Sequence, residues 1–175
     1  MNAIDPTATM SPHARIYTTR LVIGAHCRID DGAILTGDIT LGDYVHIGAY
    51  CVLTGKESIT IGDYTGISQF TAILTASDDF SGRSMVGPTV PNEYKPHIKK
   101  GAVAIGSNIV IGTHCTIMPG LILYDGCSIG AHSFVNNNCD SNSMYVGAPA
   151  KFIRMRSMDS WALVDKFERQ RKAAA

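Results

Sequence analysis

The chain has 175 residues, with 15 Lys and Arg against 15 Asp and Glu, so its formal net charge is zero. That size suits one domain with a sizeable core, and the charge balance excludes a strong electrostatic footprint for nucleic acid. No apolar run approaches membrane-spanning length, and the first residues lack the apolar middle of a signal peptide, so the expectation is a soluble cytoplasmic protein.

Residues 1–20 show no period and are expected to lie over the first coil or pair at its edge. From Ile23 a large aliphatic residue returns every six positions: Ile29, Leu35, Leu41, Ile47 and Leu53. Two extra residues enter near Ser58–Thr60, and the frame resumes at Ile61, Ile67 and Ile73. Residues 75–102 carry prolines and charges without a period. The frame restarts at Ile105 and runs through Ile111, Ile117, Leu123, Ile129 and Val135. A helix repeats its apolar positions every three or four residues and a simple strand every two. A sustained period of six instead describes a chain bent into short flat segments that turn the same residue inward, a hexapeptide β-helix. Three segments close one triangular coil, giving five layers: 23–40, 41–58, 61–76 with the loop, 105–122 and 123–140.

The five cysteines, Cys27, Cys51, Cys115, Cys127 and Cys139, each lie four places after an inward aliphatic residue. Ala33, Thr65, Thr71 and Ser133 occupy the same slot. The slot demands a small side chain, and cysteine behaves there as a small hydrophobe. Buried, reduced thiols are expected, not disulfides or a nucleophile. Residues eighteen apart, after the insertions, form columns. One corner column reads Gly32, Tyr50, Phe70, His114, His132, and one outward face reads Ile34, Val52, Ala72, Thr116, Phe134. An exposed apolar face on a repeat protein predicts cover by another copy, with cover by the long loop as the alternative. Residues 141–156 form an exit segment. A helix over 157–173 can be capped by Ser157 or Asp159, and its stripe of Trp161, Val164 and Phe167 is expected to pack over the open end of the coil.

Ile111-Gly112 through Gly120, Leu123, Ile129-Gly130-Ala131 and Val146-Gly147-Ala148-Pro149-Ala150-Lys151 together resemble the hexapeptide-repeat acetyltransferases. The loop, Ser77-Asp78-Asp79-Phe80-Ser81-Gly82 with Met85 and Pro88-Thr89-Val90-Pro91, resembles a subgroup acting on nucleotide-linked 4-amino-4,6-dideoxyglucose. The resemblance implies an all-β fold: a left-handed parallel β-helix of about five coils, one long protruding loop and a short C-terminal α-helix, all in a single domain over 1–175. It also implies a homotrimer, acetyl-CoA as co-substrate in a groove between neighbouring coils, a sugar or nucleotide-sugar acceptor near the loop, and a place in surface-polysaccharide synthesis. No metal is expected.

Acetyl transfer needs a base for the acceptor proton, donors for the oxyanion and a thioester held beside the acceptor. Galactoside acetyltransferases carry their base histidine just after a T-[AG] pair. Here Thr75-Ala76 is followed by Ser77-Asp78-Asp79, and the histidine is missing. Adjacent carboxylates can raise one another's pKa, so Asp79 and Asp78 are candidate bases or anchors for an acceptor ammonium. His46, on an outward strand position, is the third catalytic candidate, and His114 is its alternative. For the co-substrate the resemblance carries over Thr113, Ala131, Asn136, Asn137, Lys151 and Arg154. Two other readings stay open. One is a zinc hydratase of the carbonic anhydrase type, which needs three histidines with an open fourth position; the other is a non-catalytic β-helix used for assembly.

Overall fold

The computed structural model describes residues 2–174. Its strands are short and nearly all parallel, and they stack into three flat faces that share one core. On the first face the inward column is Ile4, Ile23, Leu41, Ile61, Ile105 and Leu123. On the second it is Met10, Ile29, Ile47, Ile67, Ile111, Ile129 and Tyr145. On the third it is Ile16, Leu35, Leu53, Ile73, Ile117 and Val135. The six-residue frame thus holds residue by residue. Leu35, Ile47, Leu53, Ile67, Ile73, Ile111, Ile117 and Leu123 are fully sealed from solvent. Each such side chain contributes about 1.5–3 kcal/mol by leaving water, which is why this column outweighs weak local strand propensity. All five cysteines are buried and free.

Two expectations need correction. Residues 3–20 do pair at the edge of the next coil, but they are not aperiodic. Ile4, Met10 and Ile16 keep the period of six and form a further coil, paired in parallel with the next. The frame was hidden by one seven-residue step from Ile16 to Ile23, where the pairing shifts between Thr18 and Arg20. The C-terminal helix, Asp159–Ala174, does not cover the coil end. It runs along the corner between the first and second faces. There Trp161 Nε1 donates to Asn142 Oδ1 at 2.8 Å, Asn108 Nδ2 donates to Ser160 Oγ at 2.9 Å, and Phe167 meets the Tyr44 ring edge-on at 5.2 Å. Tyr64 hydrogen-bonds Glu168, and the Arg171 guanidinium lies 5.7 Å from the Tyr44 ring centre. That corner offers a ladder of half-buried rings and amides, a better partner for an amphipathic stripe than the end of a strand stack. The last strand edge is covered instead by a hairpin, in which Lys151–Met155 pairs antiparallel with Ser143–Val146.

The corners turn through left-handed backbone. At the second corner, between the second and third faces, Gly32, Tyr50, Phe70, His114 and His132 all have φ between 56° and 70°. That conformation costs a residue with a Cβ about 1–2 kcal/mol. Ring stacking offsets part of it, at about 0.5–1.5 kcal/mol per pair. Tyr50 lies 5.4 Å from Phe70, Phe70 4.9 Å from His114, and His114 5.0 Å from His132. No helix among the described residues is long and apolar enough to cross a membrane.

Candidate active site

The breaks in the six-residue frame all fall at the third corner, between the third face and the first face of the next coil. The pairing shift at Thr18–Arg20 is the first. The two extra residues lie within Gly55–Glu57, because Thr36 still meets Thr54 (Oγ1 to Oγ1, 2.9 Å) while Asp38 pairs with Ser58. They therefore enter one step earlier than the sequence suggested. The long loop leaves the same corner one coil later. Its stem is a short antiparallel ladder, Ala76 with Lys100 and Ser77 with Lys99. Between the insertion and the loop base is a cavity of about 370 Å³, lined by Gly55, Lys56, Glu57, Ala76, Ser77, Asp78, Pro88, Asn92, Lys95, Ile98 and Lys100.

The two candidate aspartates have different surroundings. Asp79 Oδ1 accepts the Ser81 backbone N–H at 2.9 Å and the Ser81 hydroxyl at 2.6 Å, and Oδ2 accepts the Arg83 N–H at 2.8 Å. The Ser81 hydroxyl is the largest influence and, with these amides, holds the Asp79 carboxyl below its ordinary value. Such a carboxylate shapes the loop and is a poor proton acceptor. Asp78 lines the cavity, and only its Oδ2 is engaged, by the Gly87 N–H at 2.9 Å. Lys95 holds the carbonyl of the same glycine, donating from Nζ to the Gly87 oxygen at 2.9 Å. Sequence reasoning missed Lys95 because the loop has no period to place it.

His46 is on the outward side of the second face, where its Nε2 and Asp30 Oδ2 share a hydrogen bond of 2.8 Å. Arg28 Nε donates to the other oxygen, Oδ1, at 2.6 Å. Burial pushes the Asp30 carboxyl up, but the hydrogen bonds from His46 and Arg28 outweigh it and leave it below the usual range. Beside His46 in the ladder is Gly66. A Cβ there would touch nothing within 4 Å, so neither packing nor the turn requires glycine, and the missing side chain leaves a notch in the face. Ser68 comes next on the same outward surface. A glycine of this kind marks a place where another group approaches the backbone closely.

In a triangular coil the third corner is opposite the second face. The loop aspartates and His46 therefore point away from each other, and one chain cannot bring them together. The co-substrate candidates divide the same way. Thr113 and Ala131 are at the second corner of the last two coils, where Thr113 Oγ1 donates to the Gln69 carbonyl at 2.8 Å. Lys151 and Arg154 are exposed on the closing hairpin beside them. Asn136 and Asn137 are at the third corner, Asn137 Nδ2 donating to Asn136 Oδ1 at 2.9 Å. His114 and His132 are layers of the aromatic stack, with their planes only 11° apart. No cluster of three or more metal-ligating side chains forms among the described residues.

Residues 20–55 match the family model described as bacterial transferase hexapeptide (six repeats). A dTDP-4-amino-4,6-dideoxy-D-glucose acyltransferase of Escherichia coli is 40% identical over 159 residues, 89% of this chain and 82% of that protein. The chain belongs to the hexapeptide-repeat acyltransferases. AntD, an N-acyltransferase from Bacillus cereus, was solved with dTDP and 3-hydroxybutyryl-CoA and superposes with a TM-score of 0.93 at 36% identity, over 97% of this chain and 91% of AntD. A serine variant of AntD, solved with dTDP-4-amino-4,6-dideoxyglucose and coenzyme A, superposes with a TM-score of 0.91 at 36% identity, over 96% and 91% of the two chains. The coil of this hexapeptide acyltransferase is thus the left-handed parallel β-helix of its relatives.

Proposed function

We propose that this protein moves an acyl group from a coenzyme A thioester to the C4 amine of a dTDP-linked 4-amino-4,6-dideoxy sugar, at a site shared by two copies of the chain in a trimer. The opposed half-sites carry the reading. Asp78 at the third corner and His46, Gly66 and Ser68 on the second face belong to neighbouring coils, at nearly one level along the axis. A neighbour that packs its third corner against this second face brings them together. The same packing brings Asn136 and Asn137 of one copy toward Thr113, Ala131 and Lys151 of the next, so one groove receives both substrates.

AntD supports the choice of Asp78 over Asp79. It was solved as variants of one serine and one aspartate ten residues apart. In this chain Ser68 and Asp78 are the one Ser–Asp pair with that order and spacing.

The chemistry rests on these positions. The free Asp78 oxygen receives an N–H of the acceptor amine and orients its lone pair toward the thioester carbonyl. As the C–N bond forms, the carbonyl oxygen gains charge, which the Ser68 hydroxyl and neighbouring amides can meet. The surplus amine proton passes to Asp78 or to His46, whose ring Asp30 orients, and from there to the departing sulfur as the C–S bond breaks and coenzyme A leaves. The products are an amide and a thiol. Lys151 and Arg154 suit the phosphates of coenzyme A.

Mixing the protein with acetyl-CoA or 3-hydroxybutyryl-CoA and monitoring thiol release tests the reading. Release on adding dTDP-4-amino-4,6-dideoxyglucose, but not the free amino sugar, supports it. Release with neither acceptor overturns it.

A further inference from the structure

We propose that the third-corner cavity is an anion site, anchored by Lys95, that takes the diphosphate of the acceptor. The inference deepens the proposed function and rests on its nucleotide-linked acceptor. Lys95 is only 7% exposed. A buried ammonium has three N–H donors to satisfy and is costly to leave without counter-charge. Among the described residues the Lys95 ammonium has one hydrogen bond, to the Gly87 carbonyl, and no carboxylate within ion-pair reach. A cation that only tied the loop together would not need burial at a cavity wall.

The surroundings agree. Lys56 comes from the short insertion and Lys100 from the loop stem, so two separate breaks in the frame supply cations to one cavity. The Asn92 side chain adds a neutral donor. Two carboxylates, Asp78 and Glu57, line the same space. They would weaken a site for a simple anion, but they suit a ligand carrying both signs. A nucleotide-linked amino sugar is such a ligand, with a diphosphate at one end of the hexose and an ammonium at the other. Asp78 takes the N–H and Lys95 the carbonyl of the same residue, Gly87, so the positions for amine and phosphate are fixed relative to each other. Pro88 and Ile98 supply an apolar wall for the sugar between them. A free amino sugar would leave the lysines unmatched, so the cavity also selects for the nucleotide.

Calorimetry on the full-length protein tests this with inorganic pyrophosphate and dTDP as probes and coenzyme A as control. Wild type is expected to bind both probes. Lys95→Met should weaken both by about 10-fold or more, and the exposed Lys100→Met by about 3-fold, with coenzyme A binding unchanged. Lys100→Met keeps the test valid if Lys95→Met disturbs the loop. Equal probe binding by wild type and both variants, or no probe binding by wild type, overturns the site. The two readings fail separately. If pyrophosphate binding needs the lysines but no amino-sugar nucleotide releases thiol, the anion site stands and the acceptor reading falls. If both variants turn over the amino-sugar nucleotide with wild-type KM, the anion site falls and the acceptor reading stands.

Discussion

His46 and Asp30 are joined by a 2.8 Å hydrogen bond between adjacent coils of the second face. The link has a pH signature. The Asp30 carboxyl is held below its ordinary value in the folded chain. Its contribution is therefore complete above the unfolded carboxylate pKa, about 4, and is lost as pH falls through the lower folded value. Denaturant midpoints of wild type and Asp30→Asn should differ at pH 7 and converge toward pH 2.5. A gap that widens on acidification would contradict this.

The two loop aspartates should separate cleanly. Asp78→Asn removes the free carboxylate from the cavity and should lower kcat by about 10²-fold or more, with little change in melting temperature. Asp79→Asn loosens the turn around Ser81 and Arg83. It should expose the loop to limited proteolysis while retaining most of kcat. A loss of kcat confined to the Asp79 variant would return the catalytic role to that residue.

Gly66 offers a substitution that tests the second face without testing the fold. A Cβ at this position meets nothing within 4 Å, so Gly66→Val should keep the wild-type melting temperature. It fills the notch beside His46 and should cost at least about 10-fold in kcat/KM. Full activity in a stable variant would show that nothing approaches the face there.

The cysteines should be silent in the native protein. Burial raises every one of the five thiols, Cys127 to about 12 and Cys139 to about 11. The thiolate is the reactive form. A thiol reagent should therefore label none of them in minutes at pH 8 and all five after unfolding. Rapid native labelling of even one would show that its coil opens.

The sequence read best where physics repeats. The inward column from Ile23 to Val135 and the small cysteine slots arise from one period, and both appear residue by residue. One extra residue between Ile16 and Ile23 was enough to conceal the first coil, because a period is legible only while its phase holds. The stripe of Trp161 and Phe167 announced an amphipathic helix but not its partner. The ladder of Tyr44, Tyr64, Asn108 and Asn142 along the first corner decided that. Asp78 and Asp79 are neighbours in sequence, and only the amides of Ser81, Arg83 and Gly87 distinguish them. Lys95 and Gly66 gave no signal, one lying in an aperiodic loop and the other marked by a side chain it lacks.

Mixed assembly tests the shared site most directly. A copy carrying Asp78→Asn retains a sound second face, and a copy carrying His46→Gln with Ser68→Ala retains a sound loop. Each variant should be nearly inactive alone. Co-expressed and purified through two different tags, they should recover about a third of the wild-type acyl-transfer rate, because a trimer containing both variants joins two sound halves at one of its interfaces. Mixed assemblies no more active than either parent would contradict a site built from two copies.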